Sequence, residues 1–175
     1  MDVVGITSKC ILYIFLLAAV YQDFKSNKIS NRLILLGIGV AFLFRILGSE
    51  EKGVIWFLPD IVFPVIVLYL LFIFGALGAG DIKLFSVVSG FTNLKQTFYC
   101  IAISFVLAAI WSFFRLLLSG KLASGLVSAL TYCGRVLQGD LTRYTTDIKK
   151  INFSITILGA MICLSIADQV FKFVL

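Results

Sequence analysis

Gly78-Ala79-Gly80-Asp81-Ile82-Lys83 closes one long apolar run and opens another. It sets a carboxylate and an ammonium at the lip of a membrane. Glycine before the acid lets the backbone bend there or be approached closely. A second acid, Asp23, lies near the end of an earlier apolar run, 58 residues upstream. Whether these two acids meet depends on how the runs between and around them are arranged.

The runs are read as membrane spans. Of 175 residues, 61% are hydrophobic and 14% charged, with a mean hydropathy of +1.07. Soluble domains are about 45–50% apolar. A spanning helix needs about 20 mostly apolar residues. Candidate spans fall at about 5–21, 33–47, 54–77, 82–91, 98–118 and 151–173. With two prolines in the chain, helices fit better than the alternating pattern of a barrel. The expectation is an all-α fold, a polytopic membrane helix bundle with about six transmembrane helices. No Pro/Gly/Ser linker divides it, so residues 1–175 are read as a single transmembrane domain. The start lacks a basic region and a small-x-small cleavage site, so the first run reads as a retained span.

Local signals add detail. Ser30 and Asn31 are good N-caps for the second span. Pro59, Asp60 and Pro64 predict an interrupted start to the third. Asn93 and Lys95 mark a tight turn. Residues 122–137 read as an amphipathic helix at the interface. The basic stretch around them, 119–150, suits contact with anionic lipid or with a protein substrate, lipid being the plainer reading.

Six spans put both ends of the chain on one side. The loops after spans one, three and five hold Lys25, Lys28, Arg32, Lys83, Arg115, Lys121, Arg135, Arg143, Lys149 and Lys150, whereas the other side holds Lys9, Arg45, Lys52, Lys95 and Lys172. The positive-inside rule puts the first set in the cytoplasm and both termini outside. Asp23 and Asp81 then share one depth on the cytoplasmic face. Asp60 and Asp168 fall on the opposite side and are read as structural.

Composition removes several chemistries. There is no histidine, which excludes Ser-His-Asp and Cys-His catalysis, His-ligated zinc and His proton relays. Cys10, Cys100, Cys133 and Cys163 are too far apart in sequence for a CxxC site and read as small apolar residues. No metal and no cofactor is expected. The net charge of +6 does not point to nucleic acid in a membrane chain.

Taken singly, Asp81 reads equally well as the N-cap of the fourth span, and Asp23 as a loop acid paired with Lys25 or Lys28. Together they suit one reaction. Two carboxyls held close share a proton: the ionised one takes a proton from water while the other donates to a carbonyl oxygen. Two other classes stay open. A small transporter or channel subunit would use its acids as ion-pathway groups, although it would want them at mid-depth or on both sides. A Ser-Lys hydrolase would use Ser86, three residues after Lys83 on one helix face.

Gly78-Ala79-Gly80-Asp81 resembles the GxGD signature of the type IV prepilin peptidases. Asp23 followed by Ile29-Ser30-Asn31 resembles that family's first motif, with Ser30 where Pro is usual. Ile151-Asn152-Phe153 is similar to a third family segment, with Asn152 in place of Pro. The resemblance implies a membrane aspartic endopeptidase whose catalytic pair is Asp23 and Asp81. Gly78, Gly80 and Lys83 are its motif and substrate-positioning residues. It implies removal of the leader of type IV prepilin-like precursors, Flp/Tad pilins or pseudopilins, at the cytoplasmic face of the inner membrane. It names those precursors and the bilayer as partners and leaves the oligomeric state open. Longer family members add a CxxC-bearing domain with methyltransferase activity. No such motif is present, so a peptidase-only form is expected, similar to Flp/Tad or archaeal preflagellin peptidases. Presenilin-like proteases, with a Tyr-Asp motif and a Pro-Ala-Leu segment, match less well, since Gln22 precedes Asp23.

Overall fold

The computed structural model describes residues 3–48, 54–118, 131 and 152–174. Among these residues there is no strand, and six helices follow one another. They are α1 (Val3–Ser26), α2 (Asn31–Leu47), α3 (Phe57–Ile73), α4 (Ala79–Phe91), α5 (Leu94–Leu118) and α6 (Phe153–Val174). The all-α bundle is as expected. Three stretches are long and apolar enough to cross a membrane, Val4–Ser26, Leu94–Arg115 and Phe153–Val170, and the shorter α3 is also apolar. Large side chains such as Leu35, Ile66, Leu70 and Leu118 are exposed, a surface suited to lipid rather than water. The protein is a membrane protein. The interfacial helix expected over 122–137 lies outside the described residues apart from Thr131.

The helix ends follow local chemistry. Ser30 is extended at φ −71°, ψ 138°, and its hydroxyl accepts from the Leu33 amide, capping α2. The Asn93 side chain accepts from the Gln96 amide at 2.9 Å and caps α5 at the expected turn. Residues 54–55 are helical and Trp56 breaks the run before α3 begins, which is the interrupted start. At its far end α3 stops short of the expected 77. Gly75 adopts φ 69°, a conformation open to glycine at little cost, and its amide turns back to the Phe72 carbonyl at 2.9 Å.

Helix α4 is the centre of the bundle. It packs against each of the other five helices, and every residue from Leu84 to Gly90 is buried. Its 13 residues rise only about 20 Å, short for a bilayer but adequate for a helix enclosed by protein. Lipid supplies no hydrophobic drive between helices, so close packing must hold them. Gly37 and Ala41, one turn apart on α2, meet Val87 and Gly90 on α4. A Cβ on Gly37 would stand 2.8 Å from Val87 Cγ1, and one on Gly90 would stand 3.0 Å from Ala41 Cβ. Helix α6 is tied to α1 at mid-depth, where the Tyr13 hydroxyl donates to the Met161 carbonyl at 3.0 Å and bonds Ser165 Oγ.

One end of the bundle is closed by Arg45. Its guanidinium pairs with Asp60 at 2.6 Å, donates to the Gly90 carbonyl at 3.2 Å and reaches the Thr92 carbonyl. One side chain thus joins the end of α2, the start of α3 and the end of α4. Pro64 lies inside α3 and has no N–H for the Asp60 carbonyl, four residues earlier. The Ser89 hydroxyl of α4 fills that place, donating to the Asp60 carbonyl at 2.5 Å. Asp168 accepts from Gln96 at 3.3 Å at the same end. Asp60 and Asp168 therefore take the structural positions expected of them.

Candidate active site

The opposite end carries Asp23 and Asp81. Asp23 sits in the last turn of α1, partly buried. Its Oδ2 accepts from the hydroxyl of Ser154, in the first turn of α6, at 2.7 Å. Asp81 is the third residue of α4, also partly buried, and its Oδ2 accepts from the Gly78 amide at 3.3 Å. Gly78 is the N-cap at φ −80°, ψ 148°, so Asp81 reaches back over the cap as in a capping box. The cap expected of Asp81 falls to Gly78. Asp81 thereby lies where the helix backbone complements negative charge.

The connection between α1 and α2 packs on the start of α4. Asn27 turns the chain at φ 50°, the left-handed region that asparagine tolerates, with its amide on the Asp23 carbonyl at 2.8 Å. Ser26 Oγ braces the turn through the Gln22 and Lys28 carbonyls. The Gln22 side chain accepts from the Ser30 amide at 2.9 Å. Ile29 then rests on Gly80: a Cβ there would lie 3.6 Å from Ile29 Cβ. Lys83 Nζ donates to Asn31 Oδ1 at 2.9 Å. The two sequence motifs thus meet through Ile29–Gly80 and Asn31–Lys83, and α1 meets α6 through Asp23–Ser154.

Lys83 and Ser86 do not pair. The Lys83 amine is exposed on Asn31, whereas the buried Ser86 hydroxyl turns to the Ile82 carbonyl at 3.4 Å. Lys83 therefore does not serve as a base for Ser86. Asn31 was expected in the turn and cap, and it takes the further part of holding Lys83. Ser154 was not singled out from sequence. The only signal for it is a hydroxyl beside the third motif segment, at the motif end of α6.

A family model described as the type IV leader peptidase family matches residues 10–113, well over half of the chain. The matched stretch includes both aspartates and both motif loops. No curated protein and no solved structure matches the chain.

Proposed function

The chain belongs to the type IV leader peptidase family, and from that premise we propose that Asp23 and Asp81 are the catalytic dyad of a leader peptidase for prepilin-like precursors. What supports this most is that two acids from separate motifs gather at one end of the bundle. There Ile29 rests on Gly80 and Asn31 bonds Lys83. The other described acids, Asp60 and Asp168, are engaged at the far end, which does not suit a continuous ion path.

The dyad performs acid–base hydrolysis. The ionised carboxylate takes a proton from water as the water oxygen bonds to the scissile carbonyl carbon. The protonated carboxyl gives its proton to the carbonyl oxygen, leaving a neutral diol. The first carboxyl then passes its new proton to the leaving nitrogen as the C–N bond breaks. The diol returns a proton to the second carboxylate, and the dyad is restored. Gly78 leaves room for the Asp81 carboxylate to fold over the cap. Ile29 lies against Gly80 at the start of α4, and Lys83 positions the first motif by holding Asn31.

The substrates are prepilin-like precursors of the Flp/Tad or pseudopilin kind, with a short charged leader ahead of an apolar helix. By the positive-inside rule, the basic loops support a dyad at the cytoplasmic face of a multi-pass inner-membrane protein. There it meets the leader junction just as the precursor helix enters the bilayer. Co-reconstitution in vesicles with such a precursor, followed by mass spectrometry, tests this. Cleavage at the junction between leader and apolar helix is the expected result. An intact precursor, or cuts scattered within the helix, would refute it.

A further inference from the structure

We propose that Ser154 is a positioning residue of the dyad. Its hydroxyl, donating to Asp23 Oδ2, fixes the carboxylate so that Oδ1 is presented to the hydrolytic water. The inference rests on the dyad reading above and concerns a residue beyond the matched family region, 131 positions from Asp23.

Ser154 is fully buried, at 0% exposure, and a buried hydroxyl requires a partner. Its partner is Asp23, at 2.7 Å, close to the short range typical of a hydroxyl donating to a carboxylate. The arrangement is asymmetric in use. Helix α6 does not need this bond to start, since the Ile155 amide already turns to the Asn152 carbonyl at 3.3 Å. Helices α1 and α6 are joined at mid-depth by Tyr13 and by the core around Leu12, Leu16 and Ile157. Asp23, by contrast, sits in the last turn of α1 with the exposed Lys25 and Lys28 nearby in sequence. Without Ser154 its carboxylate is at liberty to turn toward them. A buried donor from another helix is what holds one rotamer against that pull.

The test uses the whole chain in vesicles, with a prepilin precursor that the unsubstituted chain cleaves. Ser154→Ala removes the donor at nearly constant volume, and Ser154→Thr keeps it. The expected result for Ser154→Ala is a kcat lower by about tenfold to a hundredfold, the scale of a misplaced reacting group. KM stays near the parent value, the thermal midpoint falls by no more than the few degrees that one hydrogen bond carries, and Ser154→Thr recovers most of the rate. Parental kcat in Ser154→Ala, with Asp23→Asn inactive, overturns the role of Ser154 and leaves the dyad standing. A loss carried by KM, or a midpoint lowered far beyond the share of one hydrogen bond, assigns Ser154 to packing and also overturns the proposal. So does a Ser154→Thr variant as slow as Ser154→Ala at an unchanged midpoint. Parental rates in Asp23→Asn overturn the dyad, and the positioning role with it.

Discussion

Replacing Gly78 by alanine should separate activity from stability. The added Cβ would stand 2.9 Å from Asp81 Oδ2, so the carboxylate must retreat by about 0.5 Å to reach ordinary contact. That retreat takes the Gly78 N–H bond to Oδ2, already 3.3 Å long, past the useful range of a hydrogen bond. The backbone itself has no objection, because φ −80° and ψ 148° suit any L residue. Alanine there gains about 0.4–1 kcal/mol by restricting the unfolded chain. Losing one hydrogen bond to a charged group costs about 1.5–3 kcal/mol, less here because the bond is long and Asp81 is partly exposed. The net change in stability is therefore small, within about 1–2 kcal/mol. Activity has no such compensation. A misplacement of about 1 Å costs on the order of a hundredfold in rate, so half that distance costs about tenfold. Leader-cleavage kinetics in vesicles, read beside thermal unfolding of the same preparation, measure both. Gly80→Ala is the control, since its Cβ would meet Ile29 at an ordinary 3.6 Å, and kcat should stay within about twofold. Parental kcat in folded Gly78→Ala would refute the claim that the cap sets the Asp81 carboxylate. A rate loss as large in Gly80→Ala would refute the distinction drawn between the two glycines.

Two further outcomes concern the opposite end. Arg45→Met strips the cation from an Asp60 side chain that is 4% exposed, and should cost about 3–5 kcal/mol in detergent unfolding. Arg45→Met with Asp60→Leu should recover much of that loss, and a single variant as stable as the parent would rule out the clamp. Ser89→Ala orphans the Asp60 carbonyl and should cost about 1–3 kcal/mol. Adding Pro64→Ala returns an N–H to α3, so the double variant should be more stable than the sum of the singles, and strict additivity would contradict the pairing.

Much of the fold is legible because membrane spans are written in long apolar runs and in their caps. Ser30 and Asn93 stand where the helices begin, and Pro59 with Pro64 foretold the break before α3. The charge count put Asp60 away from the motif end, where Arg45 holds it. What stayed hidden depends on contacts between distant segments. The end of α3 is set by the left-handed Gly75 rather than by loss of apolar character, so hydropathy overruns it. Ser89 and Ser154 are ordinary hydroxyls in apolar helices. Their meaning lies in a proline-freed carbonyl 29 residues away and a carboxylate 131 residues away. The Gly37–Ala41 seam with Val87 and Gly90 is visible only once α2 and α4 are known to run side by side. For the site, the residue pattern indicated the two acids and their shared end, but not the buried donor behind Asp23.

The most direct test of the dyad is the single-turnover rate of leader cleavage by Asp23→Asn and Asp81→Asn, each confirmed to insert and unfold like the parent. Asparagine keeps the shape of each side chain and removes its capacity to exchange a proton. Loss of cleavage to the background rate in both variants is the predicted result. Cleavage near the parental rate in either one would mean that this end of the bundle is not an aspartyl active site.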